Sequence, residues 1–310
     1  CQAGLAEAPF ALGAMDYFFR GTGHVRGGIG QLAWGLVRAI EALGGQVLLA
    51  NRVKALRPAL GQRRRGWVVE TRQGELQARF VAANVLPSAL PRLLGQGEGG
   101  EPELEPGLAR LGARVEAGWG AVMLYRVVRA PGGARSQAQH LELVLDESQP
   151  MEEGNHLFVS LSGEDDPGRC PPGHRTMTVS THLSLPTLRA LPDDAARAAR
   201  IHAIQQRMRE GLARWLPEWG EVTQELTASP RTFERFTGRP GGAVGGVPRL
   251  AGLHHYAHLG PTETRPGLFL VGDSVFPGQS TLAVAVGGQL AARAMLRRLD
   301  VRAPQPARGR

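Results

Sequence analysis

Near the start of the chain Leu32, Leu36, Ala39, Ile40 and Leu43 recur at helical spacing, with Gly27, Gly28 and Gly30 before them and Gly44-Gly45 after. The pattern predicts a glycine-rich loop, a helix and a C-cap stop. Gln46-Val47-Leu48-Leu49-Ala50 then reads as a short buried strand. Next come alternating runs at Arg52–Arg57, Gly66–Thr71 and Glu75–Ala78, separated by 61–65 and by Gln73-Gly74, which predict a three-stranded meander. Arg63, Arg64 and Arg65 fall in the first turn, where solvation explains them. Phe80–Val85 is a further apolar strand, broken by Pro87. A parallel-sheet element with a small antiparallel insertion accounts for this order.

From about Gln96 to Pro106 the chain is rich in Gly, Glu and Pro and reads as a linker or surface loop. Beyond it, Gly120–Val128, Leu141–Leu145, His156–Ser160 and Thr176–Ser180 predict strands of a second sheet. Asp193–Trp215 carries Ala196, Ala199, Ile201, Ile204, Met208 and Leu212 at the spacing of a long amphipathic helix. The end returns to the first grammar: Gly267–Val271 is a short buried strand that runs into Gly272-Asp273, a loop, and a small-residue helix from about Ala283 to Arg298. The tail after Leu299, rich in Arg, Pro and Gly, is expected to be disordered.

Composition narrows the class. With 310 residues, 42% hydrophobic and 21% charged, the chain can bury a sizeable core and divide into two domains. Two cysteines, Cys1 and Cys170, support neither a disulfide framework nor a zinc site. The chain opens at Cys1 without an initiator Met or a signal-peptide pattern, so its start looks like a cut and a reducing compartment is expected. Ser274–Ala292 is long and uncharged, but Pro277, Gln279, Gln289 and several glycines argue against a membrane span. The formal charge of +8 is carried by arginine, Lys54 being the sole lysine. Arginine suits phosphates, carboxylates and anionic headgroups. No basic helix or aromatic-interleaved strand accompanies the charge, so nucleic-acid binding is not expected.

The pattern richest in chemistry is the strand that ends at Gly272-Asp273 and leads through Pro277-Gly278 into a helix. At the carboxyl end of a parallel strand a glycine lets backbone approach a ligand, and an acid accepts hydrogen bonds from sugar hydroxyls. The free N–H groups of the following helix face partly anionic rings well. These are the needs of a flavin at its ribityl chain and N1/C2 carbonyl. Leu268-Phe269-Leu270-Val271-Gly272-Asp273-Ser274-Val275-Phe276-Pro277-Gly278-Gln279 resembles the C-terminal flavin signature of phytoene-desaturase-type enzymes and carotenoid isomerases. His24-Val25-Arg26-Gly27-Gly28-Ile29-Gly30, Gly44–Leu49 and Pro230–Arg239 agree with that family in order and spacing. The first run and Phe276–Gln279 look most similar to the hydroxycarotenoid 3,4-desaturases.

The resemblance implies a two-domain, FAD-dependent oxidoreductase of the phytoene desaturase/amine oxidase-like fold: α/β plus α+β, with an incomplete Rossmann-type FAD domain interleaved with a substrate domain. The expected boundaries are 1–25 (substrate-domain segment), 26–95 (FAD domain), 96–237 (substrate domain), 238–299 (return of the FAD domain) and 300–310 (tail). Carried over by position, Asp273 bonds the ribityl or a neighbouring phosphate, with Gly272, Gly278 and Gln279 around it. Backbone at Leu282, Ala283 and Val284 meets the pyrimidine edge of the isoalloxazine, and Val53 touches the adenine. Arg26, Gly27 and Gly28 line the junction of cofactor and substrate. Ser280 and Ala283 stand where glycine is more typical, which adds side chains near the ring.

The family's strand–GxGxxG–helix unit is expected to precede Cys1. Gly28-Ile29-Gly30-Gln31-Leu32-Ala33 fits GxGxxA, but the next segment ends at Ala50-Asn51 without the acid that a ribose needs. His254-His255-Tyr256-Ala257-His258 has no acid or cysteine spaced to complete a metal site, and Asp165-Asp166 reads as a turn beside Gly163 and Pro167. The implied activity is desaturation of an acyclic, apolar carotenoid by hydride transfer to flavin N5, with no residue named as base. A cis/trans isomerase, a flavin amine oxidase and a truncated, non-catalytic fragment stay open. An aromatic cage for an amine finds only Phe276 near Gly278. A cytoplasmic protein associated peripherally with the inner face of the membrane is expected.

The arginine excess predicts that the protein floats with liposomes containing anionic lipid and that salt weakens this binding. Equal flotation with neutral vesicles would remove the membrane expectation.

Overall fold

The computed structural model describes residues 8, 12–13, 19–21, 23–59, 66–95, 106–166, 168–248 and 262–299. In chain order the elements are α1 (Gly30–Ala42), β1 (Val53–Pro58), β2 (Trp67–Thr71), β3 (Gly74–Ala78), β4 (Val81–Ala83), α2 (Leu90–Leu93) and α3 (Pro106–Glu116). There follow β5 (Trp119–Arg129), β6 (Gln139–Val144), β7 (His156–Leu161), β8 (His174–Ser184), α4 (Leu185–Arg189) and α5 (Asp194–Trp215). The chain ends with β9 (Val222–Ala228), α6 (Pro230–Thr237), β10 (Thr262–Arg265), β11 (Leu268–Leu270) and α7 (Thr281–Arg298). It divides into two compact units, 1–48 with 119–244 and 49–118 with 245–310.

The first unit is built on an antiparallel sheet of order β6-β7-β8-β5-β9. Buried and half-buried residues alternate without a break along β8, so Met177, Val179 and Leu183 share one face with Val122, Leu124, Leu157 and Val159 from its neighbours. Helix α5 covers that face with Ile204, Met208 and Leu212. Asp193 starts it by accepting a hydrogen bond from the Ala196 N–H (2.7 Å). Gly211 lets it lie close to the sheet, since a Cβ there would meet Leu145 Cδ1 at 2.8 Å. Helix α6 is held by a reciprocal Ser229–Thr232 capping box and ends at Gly238, whose φ is 69°.

Helix α1 forms where the apolar spacing predicts it, yet none of its residues is buried, and Leu32, Trp34, Leu36 and Ile40 are exposed. The strand expected at Gln46–Ala50 is a correction: Gln46–Leu48 have no regular structure, and Leu49-Ala50 sit in a turn, Ala50 with φ of 54°. A strand exists through its ladder, and no described strand pairs with this segment, so Leu48 and Leu49 stay exposed.

The second unit carries two small sheets. Strands β1-β2-β3 form the expected meander in antiparallel register, and the second sheet has the order β10-β11-β4. In it β11 runs parallel to β4, with Leu268 opposite Val81 and Leu270 opposite Ala83. Leu56, Trp67, Ala83, Leu90 and Leu268 pack into one core, and Leu108, Leu270 and Val275 into another. Because α3 contributes Leu108, this unit runs on to Gly118, past the boundary near residue 95 suggested by the Gly-, Glu- and Pro-rich stretch. Residues 26–48 likewise group with the first unit rather than with the meander. The Arg63–Arg65 turn, the 254–258 histidine cluster, most of the 96–106 linker and the 300–310 tail lie outside the described residues.

On β8, His182 is held neutral: burial, with the charge of His156 adding to it, pushes its pKa from 6.5 down to about 4. An unfolded chain takes up this proton below pH 6.5 and the folded one does not. Stability is therefore full above pH 6.5 and falls between 6.5 and 4 by as much as about 3 kcal/mol. Thermal melts across that window should show a flatter pH dependence for His182→Gln than for the wild type.

Candidate functional site

The first element of the site is the end of β11. The Val271 N–H donates to the Ala83 carbonyl (3.0 Å), which extends the parallel pairing by one residue before the chain leaves the sheet. It leaves at Gly272, where φ is 107°, and a Cβ there would lie 2.3 Å from Asn84 Oδ1. The backbone conformation demands glycine, and a side chain there would displace the Asn84 amide. The carboxyl ends of two parallel strands, with exposed Asn84 on one and Gly272-Asp273 on the other, lie side by side. This is where open α/β sheets collect their ligands. The Asp273 backbone is fixed from behind, because a Cβ on Gly246 would lie 1.6 Å from its carbonyl oxygen. Ser274 is buried and its hydroxyl reaches Asp273 Oδ1 at 3.5 Å.

The second element is the start of α7. Ser280 has φ of 106° and ψ of 154°, a conformation that favours glycine and costs roughly 1–3 kcal/mol for any other residue. Its hydroxyl accepts from the Ala283 N–H (3.1 Å) and its carbonyl from the Val284 N–H (3.0 Å). The Ser280 side chain is thus turned into the helix as its cap. In the first turn, the N–H groups of Thr281 and Leu282 have no intrahelical acceptor, and the Leu282 side chain is 74% exposed. Behind them α7 packs on the preceding turn at Gly287, where an added Cβ would make ordinary contact with Pro277 Cδ at 3.4 Å. The Gln279 amide stands over Gly245, at 2.9 Å from a Cβ placed there.

Gly272, Asp273, Gly278, Gln279, Leu282, Ala283 and Val284 therefore belong to one strand–turn–helix. Val53 opens β1 in the same unit, and Leu56 of that strand packs in one core with Ala83 and Leu268. Arg26, Gly27 and Gly28 belong to the other unit. There the reading of Asp165-Asp166 as a mere turn needs correction. The Asp166 N–H does reach the Gly163 carbonyl (3.4 Å), but its carboxylate is buried and accepts from the Gly27 N–H and from His24 Nε2. Burial pushes this carboxyl up, yet those two bonds and the Arg169 charge outweigh it and hold the pKa below the ordinary carboxylate value. Neither Asp166 nor Asn84 carries a local sequence signal, since each acts on a segment distant along the chain.

The residues fit a flavin in kind. Exposed Asn84 and half-buried Asp273 at the strand ends, backbone free of side chains at Gly272 and Gly278, helix N–H groups without intrahelical acceptors and an exposed apolar side chain at Leu282 are what a ribityl chain and a ring with an anionic edge require. Among the described residues no group of three His, Cys, Asp or Glu could hold a metal, and no helix is long and apolar enough to cross a membrane.

No protein-family model matches the chain. It is 28% identical over 166 residues to the chloroplastic prolycopene isomerase of Arabidopsis thaliana, covering 51% of this chain and 27% of the relative. It is 34% identical over 83 residues to the hydroxyneurosporene desaturase of Rubrivivax gelatinosus, covering 27% and 16%. In fold it matches the cyclohexylamine oxidase of Brevibacterium oxydans with a TM-score of 0.53 at 16% identity, over 88% of this chain and 53% of that one. The matched stretches thus span about a quarter or less of these curated relatives and about half of the structural one. In fold the chain is thus similar to an amine oxidase, and in sequence it is similar, over part of its length, to a carotenoid isomerase and a carotenoid desaturase.

Proposed function

We propose that the protein acts as an FAD-dependent desaturase of an acyclic carotenoid. The observation that carries this reading is the buried strand β11, which ends at Gly272-Asp273 beside Asn84 and leads into the open N-terminus of α7. Asp273 would accept a hydrogen bond from a ribityl hydroxyl, and the first-turn N–H groups of α7 would face the pyrimidine edge of the ring. Bound FAD supplies a hydride acceptor for carbon–carbon dehydrogenation. The chain's own share is to orient and to exclude water, with Leu282 and Val286 giving apolar contact at the start of α7. A product with longer conjugation lowers the barrier by itself, so this reading names no protein base.

Isomerisation is the second reading. It is favoured by the longer alignment to prolycopene isomerase, 166 residues against 83 for the desaturase. The substrate comes from a bilayer in either case, which fits peripheral attachment through arginine at the inner membrane face. Incubation of the FAD-loaded protein with acyclic carotenoids separates the two. Desaturation moves the absorption to longer wavelength, whereas a change in the cis band alone identifies an isomerase.

Asp273→Ala is expected to weaken FAD binding about ten- to a hundredfold, the worth of one charge-assisted hydrogen bond, with little change in the melting of the apo-protein. Titration of apo-protein with FAD beside a denaturant melt checks it. Unchanged affinity with a lowered melt would make Asp273 a turn residue and withdraw the site.

A further inference from the structure

In the first unit, residues 23–28 precede α1 without regular secondary structure of their own beyond one turn, in which the Gly28 N–H donates to the Val25 carbonyl (2.9 Å). Gly27 and Gly28 take φ of 75° and 90°, so backbone preference alone would leave the segment loose. What holds it comes from the loop between β7 and β8, about 140 residues further along the chain. The Asp166 side chain is 1% exposed, and its two oxygens accept separately, Oδ1 from the Gly27 N–H and Oδ2 from His24 Nε2 (2.9 Å). Arg26 Nη2 donates to the Asp165 carbonyl (3.0 Å). Arg169, tied to Thr176 Oγ1 (3.1 Å), lies over Gly28 so closely that a Cβ there would fall 1.9 Å from its Nη1. Behind His24, the ring of His140 stands 6.1 Å away and stacks on Phe158 at 6.0 Å.

A buried carboxylate is costly unless donors satisfy it, and here the donors are the loop itself. The geometry points to Asp166 as a positioning residue: its carboxylate, buried in the β7–β8 loop, latches the His24–Gly28 segment and so sets the conformation in which Arg26 and the Gly27-Gly28 backbone are held ahead of α1. The latch rests on the hydrogen bonds alone; its catalytic meaning rests on the proposed function. It acts through the loop, by its bonds to His24 and Gly27. Asp273 binds; Asp166 aligns.

The test compares Asp166→Ala and the shape-conserving Asp166→Asn with the wild type. Amide hydrogen exchange over 24–28 should be roughly ten- to a hundredfold faster in Asp166→Ala and intermediate in Asp166→Asn, which keeps one acceptor. Exchange over 174–184 on β8 should not change. In the FAD-loaded protein Asp166→Ala should keep its flavin affinity but shift the visible flavin band and lower kcat more than it raises KM. Wild-type exchange over 24–28 in both variants would overturn the latch. If Asp166→Ala does not fold, Asp166→Asn alone decides it, by the same exchange readout. Faster exchange with an unchanged flavin band and unchanged kcat would overturn the positioning role. A wild type that binds no flavin would remove the proposed function instead, and the exchange result would still decide the latch.

Discussion

Leu268, Phe269 and Leu270 are almost wholly buried, and their backbone is paired on both sides, to β10 in antiparallel and to β4 in parallel register. Phe269 lies 6.4 Å from the ring of Phe80 and 5.8 Å under the Arg298 guanidinium. With both faces and both edges covered, β11 has one way out, and that exit is Gly272. Everything in the candidate site follows from it. The same strand also fixes the far end of α7, because Glu263 of the β10 hairpin takes both the Arg298 guanidinium and the Gly267 N–H (2.7 Å). Burial pushes the Glu263 carboxyl up, but Arg298 and the Gly267 N–H hold its pKa low. The helix is thereby anchored at its end by an ion pair and at its start by the Ser280 cap.

The first unit solves a different problem, that of keeping a large antiparallel sheet dry on one face. Arginine serves structure there. Arg175 is buried and gives its guanidinium to the carbonyls of Ser136, Ser162 and Arg135, which closes the loops around β8. Arg126 and Arg209 share Glu225 between β5, α5 and β9 at 2.6 and 2.7 Å. Part of the positive charge is thus spent inside the unit, which leaves less of it to meet phosphates or headgroups than the composition suggests.

Helix α1 shows the limit of periodicity. Its apolar stripe marks a face, and the helix forms, but the stripe says nothing of what covers that face; in the structure Leu32, Leu36 and Ile40 remain exposed. The segment after it, Gln46–Ala50, has the composition of a strand and no ladder. Side-chain pattern proposes a strand, and a hydrogen-bonding neighbour makes one.

By itself the sequence determined the local elements: the meander β1–β3, the strands β5 to β8, the long helix α5, and the strand, Gly-Asp and helix order at residues 268–298. These follow from side-chain period, capping residues and glycine, all of which act within a few residues. The family resemblance was legible for the same reason, since its motif is contiguous. Tertiary structure alone decided that β11 pairs with β4, so that Asn84 stands beside Gly272, and that Asp166 is a buried acceptor for His24 and Gly27 rather than a solvated turn residue. Both depend on groups far apart in the chain, where the sign of a carboxylate's contribution is set by the donors that folding brings to it. No local pattern encodes those donors.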